Sequence, residues 1–152
     1  MINTPNQPIL LVEDSPEDYE VATRSLRAAG LKNPIQRCSD GDEALDYLYR
    51  RGIYQDPHTS LPPGIILLDL NMPGTDGREV LQEIKQDPQL KLIPIIVLST
   101  SADERDIQDC YAMGANSYVP KPLNFEGFLQ AMTRLKDFWF EVVIIPKVTE
   151  EV

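Results

Sequence analysis

Cysteines and basic residues are scarce in this sequence, and each scarcity excludes a class of function. The two cysteines, Cys38 and Cys110, lie far apart and lack the spacing of metal ligands. They favour a reducing, cytoplasmic location and disfavour a disulfide. The chain has 14 basic and 24 acidic residues, which give a net charge of −10. Because nucleic-acid binding needs a basic patch, this charge disfavours it.

Long apolar runs and export signals are also missing. A helix that spans a bilayer needs about 20 consecutive apolar residues, and the sequence contains no such run. The first seven residues lack the basic and apolar regions of a signal peptide. We therefore predict no contact with a membrane. The length of 152 residues and a composition of 42% hydrophobic and 25% charged residues predict one ordinary globular domain.

Short aliphatic segments alternate along the chain with amphipathic ones. Aliphatic segments predict strands at residues 9–12, 65–69 and 93–98, and two short segments of mixed composition, 35–38 and 118–119, complete a set of five. The helices between them are predicted to begin near Ser15, Asp40, Gly77, Ser101 and Asn124, mostly at capping side chains. Five strand–helix units in this order predict an α/β fold with one open, mostly parallel, doubly wound sheet.

Two segments fall outside this alternation. Residues 52–63 contain three prolines, the single histidine and no periodicity, which predicts an extended loop. The last helix is expected to run to about Phe138, with Phe125 and Phe138 among its regularly spaced apolar positions. Residues 139–146 beyond it are mostly apolar, so they either fold back over the domain's own core or form a partner or dimer surface.

Carboxylates fall where two of the predicted strands end. Residues 65–68 are all aliphatic, which predicts a strand buried on both faces, and Asp69 stands at its carboxyl end. Glu13 and Asp14 follow the first strand in the same way. In open α/β sheets, ligands bind at this edge. If the first and third strands are neighbours, the three carboxylates converge on one pocket.

The chemistry of this edge indicates a divalent cation and a phosphoryl group. Converging carboxylates repel one another unless a cation neutralises them, and oxygen ligands with this charge suit Mg²⁺. Ser99 ends the fourth strand with a hydroxyl, and Lys121 follows the fifth strand with a point positive charge. These groups are the parts needed for phosphoryl transfer to Asp69 as the nucleophile.

The order and strand-end placement of these residues resemble a response-regulator receiver domain of two-component signalling. The motifs that carry the resemblance are Glu13-Asp14, Asp69-Leu70-Asn71-Met72-Pro73, Asp76-Gly77, Ser99, Tyr118 and Lys121-Pro122. The resemblance implies a flavodoxin-like (βα)₅ sheet with strand order 2-1-3-4-5. We expect an N-terminal tail at 1–7, a receiver domain at 8–138 and an apolar C-terminal extension at 139–152.

The resemblance implies a phosphoacceptor and a metal site. Asp69 would accept the phosphoryl group. Asp14 and Asp69 would bind Mg²⁺ directly, Asn71 would bind it through its backbone carbonyl, and Glu13 would act mainly through water.

The resemblance also implies a switch beside the phosphoacceptor. Ser99 would hydrogen-bond to the phosphoryl group, Lys121 would pair with it, and Tyr118 would turn inward when Ser99 moves. The bond between Lys121 and Pro122 is usually cis in this family. Thr100 is interpreted as a capping or solvated residue, because Ser99 holds the strand-end position.

The implied function is that of a stand-alone switch rather than an enzyme, with at most Mg²⁺-dependent self-phosphorylation and autodephosphorylation. The resemblance is narrower still, to small regulators that partner cyanobacterial and bacterial phytochromes. It rests on the long loop at 52–63, the apolar extension and the lack of an output domain. The expected partners are therefore a sensor histidine kinase, such as a phytochrome, and a second copy of the chain bound through the last helix and the extension.

Three alternative functions can be weighed against the same residues. A phosphorylation-independent adaptor would not need the complete set of chemical groups that the chain carries. An aspartyl-phosphate phosphatase of the haloacid dehalogenase type needs a second aspartate two residues after the first, where this chain has Asn71. A flavodoxin needs a phosphate loop rich in Ser, Thr and Gly after the first strand, where this chain has Glu13-Asp14-Ser15-Pro16.

Overall fold

Five parallel strands form one sheet in a computed structural model of the chain, which describes residues 7–70 and 76–146. The strands are β1 (Ile9–Val12), β2 (Ile35–Cys38), β3 (Ile65–Asp69), β4 (Ile95–Ser99) and β5 (Ser117–Pro120). They pair in the order β2-β1-β3-β4-β5, and every pair is parallel. The predicted flavodoxin-like sheet and its strand order are confirmed.

Helices cover both faces of the sheet. They are α1 (Pro16–Ala28), α2 (Gly41–Tyr49), α3 (Gly77–Gln86), α4 (Glu104–Ala112) and α5 (Phe125–Asp137). Alternate residues of β1, β3 and β4 join two separate apolar clusters, one under α1 and α5 and the other under α2, α3 and α4. This double burial explains why these strands are aliphatic throughout rather than alternating with polar residues.

The start of α4 differs from the prediction. Asp103 caps this helix, because its carboxylate accepts the backbone N–H of Arg105 at 2.8 Å. Ser101, the predicted cap, instead donates its hydroxyl to Asp106 Oδ2 at 2.7 Å. The predicted cap was therefore wrong by two residues. By contrast, Ser15 caps α1 as predicted, and Asn124, the expected start of the last helix, is the cap of α5.

The fourth strand also begins later than predicted, at Ile95 rather than at residue 93. Pro94 has no N–H to donate to the ladder, although its carbonyl accepts the N–H of Ile66 at 2.9 Å. The segment before it forms a 3-10 turn at Leu90–Leu92.

The loop at 52–63 is tied to α2 instead of being fully extended. It opens with a 3-10 turn at Gly52–Tyr54. The Tyr47 hydroxyl donates to the carbonyl of Leu61 at 2.6 Å, and the Tyr47 and Tyr54 rings meet edge to face with centroids 5.1 Å apart. Aromatic side chains therefore hold this loop against α2.

The C-terminal extension both covers the core and exposes apolar surface. A π-helical turn at Phe138–Val142 continues α5 and buries Phe140 against the cluster under α1 and α5. Phe125 and Phe138, predicted on the apolar face of the last helix, are 46% and 50% exposed. The fold-back interpretation therefore holds for Phe140, whereas Val142 and Ile144 lie open at the surface.

Both cysteines are free and buried, which agrees with the prediction of no disulfide. Among the described residues, no helix has the length and apolar character that a bilayer crossing requires.

Candidate functional site

Glu13, Asp14 and Asp69 come together at the carboxyl edge of the sheet, and we call them the acidic group. Glu13 and Asp14 follow β1, and Asp69 ends β3. Because β1 and β3 are adjacent and parallel, both strands end at the same edge. One oxygen from each carboxylate lies within 4.8 Å of the other two. Oxygen ligands at this spacing suit a hard divalent cation such as Mg²⁺.

Burial changes the ionisation of Glu13, one member of this group. Glu13 and Asp69 are both buried. Burial, together with the nearby charge of Asp69, outweighs Lys121 and raises the pKa of Glu13 to about 7. A divalent cation reverses this preference, because it favours the ionised form of every carboxylate around it.

Lys121 brings a positive charge to the acidic group. Its backbone N–H donates to the carbonyl of Ser99 at 2.7 Å, which aligns the end of β5 with that of β4. Its Nζ lies 2.8 Å from Glu13 Oε1 and 3.5 Å from Asp69 Oδ2. Burial acts to lower the pKa of Lys121, but the hydrogen bond to Glu13 and the charge of Asp69 outweigh it and raise the pKa above its usual value.

Two residues at the site were not anticipated from the sequence. Asp18, on the first turn of α1, lies 3.1 Å from Lys121 Nζ through its Oδ2. Arg37, on β2, donates from Nε to the carbonyl of Glu13 at 3.2 Å and from Nη2 to the carbonyl of Asp14 at 3.1 Å. Arg37 thereby holds the backbone that carries two members of the acidic group.

A signal for each of these residues is present in the sequence. Asp18 stands three residues after the helix cap Ser15, so it lies in a first turn that begins at the carboxyl edge. Arg37 is a charged residue within the short strand β2, which is adjacent to β1. Neither signal identifies a partner without the fold, because both contacts join residues of different elements.

Ser99 and Thr100 lie as the sequence predicts. Ser99 ends β4 and is buried, and Asp69 is paired with its neighbour Leu98 in the ladder between β3 and β4. The Ser99 hydroxyl accepts the backbone N–H of Ser101 at 3.1 Å. Thr100 is exposed. The hydroxyl of Ser99 is thus held at the edge of the sheet on the strand next to Asp69.

Tyr118 connects β5 to the loop that follows β4. Its side chain is half-buried and packs against the cluster under α2, α3 and α4. Its hydroxyl donates to the carbonyl of Ser101 at 2.8 Å, and its backbone N–H donates to the Tyr111 hydroxyl at 3.2 Å. A rearrangement of the Ser99–Ser101 segment would therefore act directly on the position of Tyr118.

The segment after β3 is described only in part. Asn71, the predicted carbonyl ligand of the metal, lies outside the described residues. Asp76 caps α3 by accepting the N–H of Arg78 at 2.8 Å. A Cβ atom on Gly77 would lie 2.5 Å from the carbonyl oxygen of Asp69, so only glycine fits this close approach of α3 to the site.

The peptide bond before Pro122 is not cis, contrary to what the resemblance led us to expect. No cis bond occurs among the described residues, so the bond between Lys121 and Pro122 is trans. Trans is the more stable form even before proline, by about 0.5–1 kcal/mol. With this bond trans, the Lys121 side chain still reaches Glu13 and Asp69.

Comparisons with known proteins agree with this geometry. The family model of the response regulator receiver domain matches residues 9–133. Response regulator Rcp1 of Synechocystis is 39% identical over 144 residues, which cover 95% of this chain and 96% of that protein.

Solved structures extend the similarity to the fold. The phosphorylated cyanobacterial phytochrome response regulator RcpA superimposes with a TM-score of 0.86 at 39% identity, covering 93% of this chain and 99% of that chain. The Mn²⁺-bound form of Rcp1 superimposes with a TM-score of 0.85 at 39% identity and the same coverage.

Proposed function

The chain belongs to the response regulator receiver family, and we propose that it is a stand-alone phosphorylation switch whose phosphoacceptor is Asp69. One observation carries this proposal: Asp69 ends a buried strand within 4.8 Å of two further carboxylates, and Lys121 Nζ lies 3.5 Å from its Oδ2. The receiver domain would occupy residues 8–138, and residues 139–152 would form an extension. The match covers 96% of Rcp1, which supports a role like that of this response regulator.

Phosphoryl transfer would start from a phosphohistidine of a partner kinase. An Asp69 carboxylate oxygen forms the new bond to phosphorus while the bond between phosphorus and the histidine nitrogen breaks, and the electron pair of that bond returns to the imidazole. Bound Mg²⁺ would supply charge neutralisation for the phosphoryl oxygens. The acidic group fits such an ion because its donors are all oxygens, and the Mn²⁺-bound form of Rcp1 supports a divalent cation.

The residues around Asp69 would then bind the new group. Asp14 and Asp69 would hold the metal directly, Asn71 through its carbonyl and Glu13 through water. Lys121 would pair with the phosphoryl oxygens, since its ammonium already lies beside Asp69. No enzymatic activity is proposed beyond self-phosphorylation and autodephosphorylation.

The added charge would shift the protein between two packings. Ser99 would donate its hydroxyl to the phosphoryl group and draw the loop after β4 toward the site. Tyr118 would follow, because its hydroxyl is bonded to the carbonyl of Ser101 in that loop. The face formed by α4, β5 and α5 would change its binding partners as a result.

The partner is proposed to be a cytoplasmic sensor histidine kinase of the phytochrome type. RcpA is described as a phytochrome response regulator, and its structure covers nearly all of this chain. A profile of phosphotransfer from a panel of histidine kinases tests this, with fastest transfer expected from a phytochrome kinase. Equal or faster transfer from unrelated kinases would contradict it.

The phosphoacceptor is tested by labelling with acetyl phosphate as a small phosphodonor. The parent protein should gain one phosphoryl group in the presence of Mg²⁺ and none after chelation, as measured by intact mass. The Asp69→Asn variant keeps the shape of the side chain but cannot form an acyl phosphate, so it should remain unlabelled. If Asp69→Asn is labelled as well as the parent, Asp69 is not the phosphoacceptor.

A further inference from the structure

We propose that Asp18 is a positioning residue for phosphoryl transfer, which holds the ammonium group of Lys121 beside Asp69 when Glu13 turns to a bound divalent cation. This inference rests on the proposed function of Asp69. It assigns a role to a residue at the start of α1 that belongs to neither the predicted metal site nor the predicted switch.

The first step concerns the partners of Lys121. Its Nζ lies 2.8 Å from Glu13 Oε1, 3.1 Å from Asp18 Oδ2 and 3.5 Å from Asp69 Oδ2. A lysine ammonium has three N–H donors, so each can be directed at a different carboxylate. The Lys121 side chain is only 9% exposed, and a charge so far from water depends on its partners for stability.

The second step concerns which partners remain when a metal binds. Glu13 and Asp69 belong to the acidic group, so a cation there competes with Lys121 for their oxygens. Asp18 lies outside the acidic group, and its side chain is 47% exposed. Of the three carboxylates, Asp18 is thus the one that can keep its bond to Lys121. Glu13 and Asp69 then interact with the cation and the phosphoryl group.

The third step concerns the rigidity of Asp18. Its backbone N–H donates to the hydroxyl of the cap Ser15 at 3.2 Å, and Pro16 opens the helix. A carboxylate in the first turn is also favoured by the helix dipole. Asp18 therefore approaches Lys121 from a fixed helical position, and groups held on regular elements are placed more accurately than groups on loops.

Glu17 provides a matched control for the charge of Asp18. It is the neighbouring acidic residue of the same helical turn and is exposed. Its Oε2 accepts the Ser15 hydroxyl at 3.1 Å and does not contact Lys121. Glu17→Ala removes the same unit of charge one residue away and leaves the Lys121 contacts in place.

The test measures the rate of Mg²⁺-dependent labelling by acetyl phosphate, followed by intact mass, for the full-length parent and its variants. Asp18→Ala should slow labelling by about two- to fivefold, the range expected from loss of one partly exposed ion pair. Asp18→Asn keeps an acceptor for Lys121 and should fall between Asp18→Ala and the parent. Glu17→Ala should match the parent. If Asp18→Ala and Asp18→Asn unfold at the same urea concentration as Glu17→Ala, the slowing is not caused by a loss of fold.

Three results would overturn the inference: labelling of Asp18→Ala at the parent's rate or faster, slowing of Glu17→Ala by as much as Asp18→Ala, or no gain from Asp18→Asn over Asp18→Ala. These results differ from a failure of the proposed function. In that case the parent is unlabelled or Asp69→Asn is labelled. Failure of the inference alone leaves the parent labelled and Asp69→Asn unlabelled, together with one of the three results above.

Discussion

Glu13, Asp69 and Lys121 are ionisable side chains that lie almost wholly out of water. Removing charges from water is costly, and the cost is offset only where partners surround them. Lys121 supplies one positive charge for three carboxylates, the two buried ones and Asp18. At the scale of single residues, the site is therefore built to take up further positive charge.

Sequence reasoning identified the site residues that stand at strand ends. The acidic group, Ser99 and Lys121 could be predicted because the carboxyl ends of parallel strands meet at one edge. Asp18 and Arg37 could not, because their contacts depend on how α1 and β2 lie against β1. The trans bond at Pro122 was also not predicted, since the expectation came from the family rather than from this chain.

The two cysteines allow a prediction at the same scale. Burial raises the pKa of the Cys38 thiol to about 12 and also raises the pKa of Cys110. Since the thiolate is the reactive form, both thiols should stay neutral and unreactive at pH 8. A colourimetric disulfide reagent should therefore detect no thiol in the native protein and two after urea is added. Rapid titration of either thiol in the native protein would contradict the burial described here.

Strands were easier to locate than helix starts at the scale of elements. β1, β2 and β3 have the predicted bounds. For β1 and β3 the reason is that an aliphatic run closed by a polar residue leaves few choices. The start of α4 was misplaced because Ser101 and Asp103 both fit a capping position. The bond from Ser101 to Asp106 decides between them, and it depends on the folded position of α4.

The approach of α3 to the site predicts the effect of one substitution. In Gly77→Ala, the new Cβ would lie 2.5 Å from the carbonyl oxygen of Asp69 and 2.7 Å from Leu70 Cα, and both atoms belong to the backbone. The end of β3 or the start of α3 must therefore shift, which should lower the free energy of unfolding by about 1–3 kcal/mol. Urea unfolding measures this loss.

Glu79→Ala is the control for this substitution. Glu79 lies on the same helix, but its side chain is exposed. Its replacement should change the free energy of unfolding by no more than about 0.5 kcal/mol. Equal stability of Gly77→Ala and the parent would show that the contact between α3 and β3 is not as close as described.

At the scale of the whole molecule, the C-terminal extension combines buried and exposed apolar side chains. Phe140 is buried under α1 and α5, so the turn at Phe138–Val142 belongs to the folded unit. Phe138, Val142 and, just beyond the turn, Ile144 are nevertheless exposed. We propose that these apolar side chains form an isologous dimer surface with a second copy of the chain.

The dimer is tested by substitutions that leave Phe140 in place. Val142 and Ile144 are 64% and 79% exposed, so Val142→Ser with Ile144→Ser should leave the fold intact. Sedimentation should then show a dimer for the parent and a monomer for the double variant. Ile53→Ser, which alters an 85% exposed residue in the loop after α2, should sediment like the parent. A monomeric parent, or a double variant that still dimerises, would contradict the proposed surface.

The central claim is that Asp69 carries the phosphoryl group, and chemical mapping of the acyl phosphate tests it most directly. Borohydride reduces an acyl phosphate to the alcohol, so treating the protein labelled in Mg²⁺ should convert residue 69 to homoserine. Peptide mass mapping should find this conversion at Asp69 alone and only in samples that contained both Mg²⁺ and acetyl phosphate. Conversion at Asp14 or Asp18 instead, or no conversion in a labelled protein, would contradict the account.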